Sequence, residues 1–268
     1  MSQHGFTDEY YERAWSRIAL STSPKEERRI KETLSLLPQD VTSILDAGCG
    51  DGRITNRLIP QYSKVVGLES SREALRNVKT EKLLGSVDSL PFPDKSFDLV
   101  LCCEVLEHLP FEVYPRARSE LQRVADKYIL VSVPYEQDIE RMLVKCPYCG
   151  CMFVPARHVC SFNLRNTADL FSEFKVQYYN FCAPVKRYGR LLLKAARLTG
   201  FLPRHLPMEA LCPQCGYSPS LDAGSEKATF GRHDSLPVRL LRPWARRLVP
   251  AKRKATWLVI LYRRKEKN

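Results

Sequence analysis

Two cysteine pairs with the same local sequence are the residues whose types and spacing most directly suggest chemistry. Cys146 and Cys149 lie in C-P-Y-C-G, and Cys212 and Cys215 lie in C-P-Q-C-G. A C-P-x-C-G turn brings two thiolates and several backbone amides towards one ion. Two such turns predict a tetrahedral four-thiolate zinc site, which is closed to substrate and therefore structural.

Three residues close to the first pair leave the ligand set open. Cys151, His158 and Cys160 follow it in the sequence, and each is able to replace a ligand or to join a second site. A redox-active pair is the competing interpretation of C-x-x-C, but reactive pairs open a helix in a thioredoxin-like context that this sequence lacks. The four-cysteine arrangement is the preferred prediction.

A glycine-rich turn after a hydrophobic strand indicates a nucleotide-like ligand. In I-L-D-A-G-C-G-D-G-R-I-T, glycines alternate with other residues from Gly48 onwards and lead from a strand into a helix. Glycine permits positive φ and lets a ligand approach the backbone closely. Arg53 stands where a dinucleotide fingerprint needs its last glycine. The carboxylate of Asp46 suits an ammonium group better than a pyrophosphate.

Two acidic residues farther along the chain complete this ligand. Glu69 lies roughly 20 residues beyond the glycines, at the end of the second predicted strand, where a carboxylate accepts hydrogen bonds from ribose hydroxyls. Asp88 follows the third predicted strand and is placed to accept a hydrogen bond from an adenine amino group. An adenosine that carries an amino acid is S-adenosylmethionine, so the sequence predicts this cofactor.

These segments, in this order, resemble a class I S-adenosylmethionine-dependent methyltransferase of the broad group that includes ubiquinone- and menaquinone-pathway enzymes. The resemblance covers roughly residues 40–135 and is carried by D-A-G-C-G-D-G, Glu69, D-S-L-P-F and F-D-L-V-L-C-C-E-V-L-E-H-L. It implies that ten residues at the strand ends bind the cofactor. They are Asp46, Gly48, Cys49, Gly50, Glu69, Ser70, Asp88, Ser89, Cys103 and Glu104.

The resemblance also implies a role for each part of this set. The segment from Gly48 to Gly50 lines the methionine moiety, Glu69 holds the ribose, and Asp88 with Ser89 holds the adenine. Cys103 and Glu104 border the methyl-transfer pocket.

His108 is the candidate for a catalytic base. It follows Glu104 by one predicted helical turn, and the ordinary pKa of histidine suits general-base work. The competing interpretation is that His108 packs a helix or anchors a loop. Methyl transfer from a sulfonium rests mainly on in-line positioning of the nucleophile, so a base is not required by the chemistry.

The elements that position these residues follow from hydrophobic periodicity. Residues 8–37 are predicted to be helical, with a Ser-Pro start signal at Ser23. From Val41 onwards, short strands alternate with helices, and W-L-V-I-L-Y-R-R forms a late strand. This alternation predicts an α/β fold, a Rossmann-like doubly wound sheet that is mostly parallel with an antiparallel last strand. A basic helix is predicted at residues 188–198.

Four regions result from this organisation. We predict an N-terminal helical cap at residues 1–40 and a cofactor-binding Rossmann-like core at 41–145. A zinc-knuckle insertion at 146–236 is interleaved with the sixth strand, and a basic helix and the final strand occupy 237–268. Both cysteine pairs follow strands that run in the parallel direction, and ligands bind outside the carboxyl ends of such strands. The zinc site is therefore expected to shape the substrate side without activating the nucleophile.

The charge distribution points to an acidic partner for the second half. The chain has a formal net charge of +12, of which residues 1–150 contribute −3 and residues 151–268 contribute +15. Such a half suits nucleic acid, anionic lipid or a phosphorylated substrate. The segment V-R-L-L-R-P-W-A-R-R-L-V-P-A-K-R-K is interpreted as a helix that packs on the sheet, with contact to an anionic membrane as the alternative.

The N-terminal residues contain neither a basic start nor an apolar segment, so no secretory signal is predicted. Ten cysteines then indicate a reducing compartment, and a cytoplasmic location, in part peripheral at the membrane, is expected.

The sequence thus predicts an S-adenosylmethionine-dependent methyltransferase with a structural zinc site. Its expected substrate is a small molecule, a saccharide or a lipid-linked intermediate. One alternative is an RNA methyltransferase that docks through the basic half, although no RNA-binding module is recognisable. The other is a non-catalytic scaffold whose metal-bound insertion recruits a partner.

Overall fold

The computed structural model describes residues 8–17, 22–188, 206–207, 210–221 and 251–266. The chain divides into two compact units. The first, here called the sheet unit, comprises residues 1–139, 157–183 and 256–268; the second, here called the knuckle unit, comprises residues 140–156 and 184–255. The helices predicted at 188–198 and at 237–250 lie outside the described residues, apart from Tyr188, which ends a strand.

The described strands, in chain order, are β1 (Ser43–Ala47), β2 (Lys64–Glu69), β3 (Glu81–Leu84), β4 (Phe97–Cys103), β5 (Ala125–Pro134), β6 (Val144–Lys145), β7 (Met152–Phe153), β8 (Phe174–Cys182), β9 (Val185–Tyr188), β10 (Ala251–Lys254) and β11 (Trp257–Arg264). The described α-helices are α1 (Asp8–Trp15), α2 (Pro24–Ser35), α3 (Thr55–Leu58), α4 (Arg72–Leu75), α5 (Tyr114–Val124), α6 (Ile139–Met142) and α7 (Leu164–Ala168). Two 3₁₀ turns, Leu106–His108 and Pro219–Leu221, complete the described elements.

Seven strands form one sheet in the order β3-β2-β1-β4-β5-β11-β8. The first five in this order are joined by parallel pairings, and β11 pairs antiparallel with both β5 and β8. This confirms the predicted doubly wound sheet with an antiparallel last strand. The strands β1 to β5 and β8 therefore all end at one edge, here called the carboxyl edge, and β11 begins there.

Both faces of the central strands of the sheet are buried, as is usual where parallel strands are covered by helices. Along β4, Val100 and Cys102 belong to the hydrophobic cluster that includes Leu121 of α5. The alternate residues Leu99 and Leu101 belong to the cluster that includes Ile30 of α2. Side chains of a strand point to opposite faces in turn, so a continuous apolar run such as that of β4 serves both clusters.

The N-terminal helical prediction holds with a break between two helices. Helix α2 begins after Ser23, whose hydroxyl accepts a hydrogen bond from the amide of Glu26 while the Glu26 carboxylate accepts one from the Ser23 amide. Pro24 follows at the first helical position. This capping box satisfies donors that the first turn leaves without partners, which confirms the predicted start signal.

The knuckle unit is built on short strand pairs. β6 pairs antiparallel with β7, and β9 pairs antiparallel with β10. The four residues that end the segment interpreted as a basic helix, Ala251–Lys254, form β10 instead, because pairing with β9 satisfies their backbone groups. Of the described helices, none combines the length and apolar character needed to span a membrane.

Candidate cofactor and metal sites

The turn after β1 is one that only glycine accommodates easily. Gly48, Gly50 and Gly52 have φ of +81°, +55° and +80°. A Cβ atom on Gly48 would lie 2.4 Å from Cγ2 of Val105, and one on Gly50 would lie 2.7 Å from Cη2 of Trp15. Positive φ and close approach both exclude larger side chains at the first two positions.

Glu69, at the end of β2, holds the glycine turn against the next loop. Its carboxylate is largely buried and accepts hydrogen bonds from the amides of Gly50 at 3.1 Å, Ser70 at 2.9 Å and Ser71 at 3.1 Å. The Ser70 hydroxyl donates a fourth bond to the same oxygen as the two serine amides. The oxygen that faces Gly50 accepts no other hydrogen bond among the described residues, so it keeps capacity for a ligand hydroxyl.

Asp46 is the last residue but one of β1 and places a buried carboxylate beside the turn. It is 2% exposed, and its Oδ2 accepts a hydrogen bond of 2.6 Å from the Thr55 hydroxyl. Burial raises the pKa of Asp46 to about 6, against the lowering effect of Thr55, and the charge of Glu69 adds to the rise. Asp46 is thus largely ionised at neutral pH and able to hold a cationic group.

Cys49 points away from this ligand space. Its Sγ would lie 2.9 Å from a Cβ on Gly67, and its side chain packs with Leu75 and Val78 in a small buried cluster. Cys49 lies between two glycines, so its backbone is able to line a ligand while its side chain packs elsewhere.

Asp88 lies in the loop after β3 and is fixed by a residue that sequence reasoning missed. Its Oδ2 accepts hydrogen bonds from Arg116 of α5, at 2.7 Å from Nη2 and 3.1 Å from Nε, and its Oδ1 contacts the Ser86 hydroxyl. These donors lower the pKa of Asp88, Ser86 most and then Arg116, against partial burial. The neighbouring Ser89 is exposed.

Glu104 follows β4 in a strained conformation. Its φ is +59°, which is uncommon for a residue with a Cβ and typical of functional sites when it occurs. Its Oε1 accepts a hydrogen bond of 3.1 Å from Ser132 of β5, and its Oε2 accepts one of 2.6 Å from the indole of Trp257 of β11. Three neighbouring strands thus place Glu104 at the carboxyl edge. Cys103 beside it is buried, and burial raises the pKa of its thiol.

Arg29 of α2 is the second residue that the sequence did not reveal. It is 8% exposed, and its guanidinium lies over the Trp257 ring at 5.7 Å. Its Nε and Nη1 have no hydrogen-bond partner among the described residues. Burial opposes its charge, but the nearby carboxylate of Glu104 raises the pKa of Arg29. A buried cation with two free donors suits a carboxylate ligand.

These observations fit S-adenosylmethionine part by part. The glycine turn is a cradle that any Cβ would fill, Asp46 suits the ammonium, and the orphaned donors of Arg29 suit the carboxylate of an amino acid. The chain itself matches a known family over the same region: residues 45–128 match the family described as a methyltransferase domain.

This region is a methyltransferase domain. Over 100 residues the chain is 40% identical to an uncharacterized methyltransferase of Schizosaccharomyces pombe, which covers 30% of this chain and 35% of that relative. The chain spans about a third of the length of the first curated relatives that it matches, at 35%, 35% and 32%.

Solved structures share the fold of the methyltransferase domain. A SAM-dependent methyltransferase from Methanosarcina mazei superposes with a TM-score of 0.51 at 16% identity, covering 92% of this chain and 100% of that one. Another, from Archaeoglobus fulgidus, superposes with a TM-score of 0.53 at 13% identity, covering 88% of this chain and 91% of that one.

Helix α1 contacts the methyltransferase domain beside the glycine turn. Glu12 accepts hydrogen bonds from the Ser71 hydroxyl at 2.8 Å and from the amides of Arg72 at 2.7 Å and Glu73 at 3.0 Å. These are the groups that begin α4, so Glu12 caps that helix from a distant part of the chain. The same helix carries Trp15, whose ring contacts Gly50.

The four predicted cysteines meet in the knuckle unit. Cys146 Sγ lies 3.6 Å from Cys215 Sγ, Cys149 Sγ lies 3.6 Å from Cys212 Sγ, and all four sulfur atoms lie within 4.8 Å of one another. Four sulfurs at about 2.3 Å from one zinc ion in a tetrahedron are separated by about 3.8 Å. The observed separations fit that geometry.

The two knuckles have the same backbone turn. The Gly150 amide donates to the carbonyl of Cys146, and the Gly216 amide donates to the carbonyl of Cys212. Both glycines have positive φ, +74° and +72°. Against the effect of burial, backbone amides of the first turn lower the pKa of Cys146 to about 7, whereas burial raises the pKa of Cys212 and of Cys215.

The alternative ligands do not join this cluster in the described residues. Cys151 Sγ contacts the carbonyl of Met152, while His158 and Cys160 belong to the sheet unit. Cys160 Sγ lies 3.6 Å from the carbonyl of Leu106.

His108 lies in the 3₁₀ turn after β4 rather than in a regular helix. Its Nδ1 is 3.3 Å from the carbonyl oxygen of Arg157, and its ring centroid is 4.9 Å from that of His158. Burial and the neighbouring His158 and Arg157 lower the pKa of His108 well below its usual range. His108 is therefore neutral at physiological pH and only a weak proton acceptor.

Proposed function

We propose that this chain transfers a methyl group from S-adenosylmethionine to a small molecule, a saccharide or a lipid-linked intermediate. The observation that carries the proposal is the convergence of Glu69, Asp46 and the strained glycine turn at the carboxyl edge of the sheet. Each of these groups has a matching part in the cofactor. When bound, the cofactor supplies an electrophilic methyl group on a sulfonium, which already has a good leaving group.

The residues of the chain then have separate tasks. Asp46 holds the ammonium of the methionine moiety, and Arg29 pairs with its carboxylate. Glu69 accepts hydrogen bonds from the ribose through the oxygen that keeps free capacity. Asp88, oriented by Arg116, accepts a hydrogen bond from the adenine amino group. Because the donor is already activated, the remaining work is to orient the acceptor and exclude water.

We further propose that the four cysteines bind one structural zinc ion that holds the knuckle unit together. The matched turns and the sulfur separations support this assignment. The chain leaves the sheet unit after Ile139, which follows β5, and after Ala183, which follows β8. Both exits lie past strands that end at the carboxyl edge.

Calorimetric titration with S-adenosylmethionine, on protein whose zinc content is assayed in parallel, tests this function. We expect micromolar binding, no measurable binding by Glu69→Ala, and unchanged binding by Glu81→Ala, a matched variant at an exposed position of the neighbouring strand. Absence of binding to folded, zinc-loaded protein would instead support the non-catalytic scaffold.

A further inference from the structure

Three ligand-type side chains that the cofactor arrangement does not use meet just after β4. Glu107, His108 and His158 place one ligand atom each within 4.8 Å of the others. They come from two segments that the fold holds together through their backbones. The Val159 amide donates to the Glu107 carbonyl at 2.8 Å, and His108 contacts the Arg157 carbonyl.

Glu107 is the anomaly in this cluster. Its side chain is fully buried, and neither carboxylate oxygen has a hydrogen-bond partner among the described residues. The ion-pair contact that the structure shows for it is with Nε2 of His108 at 4.0 Å, and the charge of the buried Arg29 also acts on this carboxylate. A buried carboxylate is normally paired or bound to a metal, because low-dielectric surroundings strongly disfavour an isolated charge.

The two histidines present the nitrogen atoms that a metal would use. His108 Nδ1 faces the Arg157 carbonyl, and His158 Nδ1 faces the side-chain oxygen of Gln137. With the tautomers assigned from these acceptors, each Nδ1 donates and each Nε2 keeps its lone pair. Metal-binding histidines are typically oriented in this way, by a hydrogen bond from the second ring nitrogen.

We propose that Glu107, His108 and His158 bind one divalent transition-metal ion, distinct from the zinc of the four cysteines. Two imidazole nitrogens and one carboxylate oxygen form a set that leaves further positions open for water or substrate. The set favours ions such as Mn²⁺, Fe²⁺, Co²⁺ or Zn²⁺. Ca²⁺ and Mg²⁺ prefer ligands that are all oxygen.

The proposed metal site lies close in the chain to residues of the cofactor site, which suggests a catalytic role for the ion. Val105, two residues before Glu107, contacts the first glycine of the cofactor turn, and Glu104 is the strained residue at the carboxyl edge. A metal ion near a methyl donor binds an acceptor hydroxyl and lowers its pKa. The oxygen then bonds to the methyl carbon while the carbon–sulfur bond breaks, the sulfur keeps the electron pair, and the hydroxyl proton passes to solvent.

The acceptor class is therefore a hydroxyl compound, and this step rests on the proposed function. Metal binding itself does not.

Titration of the full-length, zinc-loaded chain with Mn²⁺, followed by electron paramagnetic resonance, tests the site directly. Mn²⁺ is used because thiolate sites disfavour it. We expect one Mn²⁺ per wild-type chain, and the same for Glu112→Gln, a matched change at an exposed carboxylate nearby. Glu107→Gln and His158→Gln should each weaken Mn²⁺ binding by at least about tenfold.

Two outcomes would overturn the site: wild-type protein that binds no Mn²⁺, Co²⁺ or second Zn²⁺, or a Glu107→Gln variant that binds Mn²⁺ as the wild type does. If Glu107→Gln fails to fold by circular dichroism, the His158→Gln result decides. S-adenosylmethionine titrations of the same samples separate the two proposals. Mn²⁺ binding without cofactor binding would support the metal site and contradict the methyltransferase function. Cofactor binding without Mn²⁺ binding would support the methyltransferase function and contradict the metal site.

Discussion

The carboxylate of Glu69 accepts a hydrogen bond of 3.1 Å from the amide of Gly50, and so joins the end of β2 to the turn that follows β1. The turn is thereby fixed before any ligand binds. A preformed site loses less conformational entropy on binding than one that must be ordered. Variants that disturb the turn should therefore weaken cofactor binding more than they destabilise the fold.

Gly50→Ala tests that turn. The added methyl group would lie 2.7 Å from the Trp15 ring, and the alanine would have to adopt a φ near +55°. We expect a loss of stability of about 1–2 kcal/mol and at least about tenfold weaker binding of S-adenosylmethionine. Thermal unfolding and calorimetry measure the two effects. Gly85→Ala, at a glycine without positive φ, is the control and should bind normally.

Cofactor affinity should depend on pH through Asp46. Its pKa is raised to about 6 in the folded chain, and only the ionised carboxylate attracts the ammonium of the ligand. Affinity should therefore be constant above pH 7 and fall by up to about tenfold per unit below pH 6. Calorimetry between pH 5 and pH 8 measures it. Adenosine, which lacks the ammonium, should show no such dependence, and neither should Asp46→Asn.

Glu12→Gln should release α1 from α4. A neutral amide accepts hydrogen bonds from the Ser71 hydroxyl and two amides less strongly than a carboxylate does. We expect faster tryptic cleavage at Arg13 and Arg17 and several-fold weaker cofactor binding, because Trp15 no longer supports the glycine turn. Glu9→Gln, which removes only an exposed ion pair with Arg13, should resemble the wild type. Equal cleavage rates in both variants would contradict this role.

Asp98 should contribute stability that acid removes. Although burial opposes it, hydrogen bonds from Thr42, Ser43 and Lys127 lower the pKa of Asp98 far below its usual value of 3.8. The contribution is present above pH 4 and is lost as pH falls through the lower pKa of the folded state.

Asp98→Asn should therefore cost about 1–3 kcal/mol at pH 7, and its difference from wild type should shrink below pH 4. Urea unfolding at several pH values measures this. Asp94→Asn, at a side chain that is 75% exposed, should change stability by less than about 0.5 kcal/mol.

Removal of one zinc ligand should unfold the knuckle unit alone. Cys146→Ser is expected to lower the zinc content and expose residues 140–156 to proteases, since zinc binding supplies folding energy. S-adenosylmethionine binding should persist, because its proposed ligands lie in the sheet unit. Cys151→Ser, which lies beside the cluster but outside it, should keep its zinc. Full zinc occupancy in Cys146→Ser would show that the ligand set is different.

Some side chains of the site were predictable because their positions follow from strand ends. Asp46, Glu69 and Glu104 each lie at or just past the carboxyl end of a buried strand, and parallel strands bring these ends to one edge. The burial of the Cys49 side chain against Leu75 and Val78 was not predictable, because those residues lie in and after α4, away from the turn in sequence. The helix predicted through Glu107 is a 3₁₀ turn, with Pro110 close behind it.

The sequence by itself determined the succession of strands along the chain, the glycine turn and the two knuckles. Those features depend on local rules: side-chain alternation in strands, positive φ at glycine, and the short loop between paired cysteines. Only the tertiary structure brought Arg29 to Glu104, Arg116 to Asp88, and His158 to Glu107. Such contacts depend on the packing of elements far apart in the chain, and the spacing of residues within one segment does not predict them.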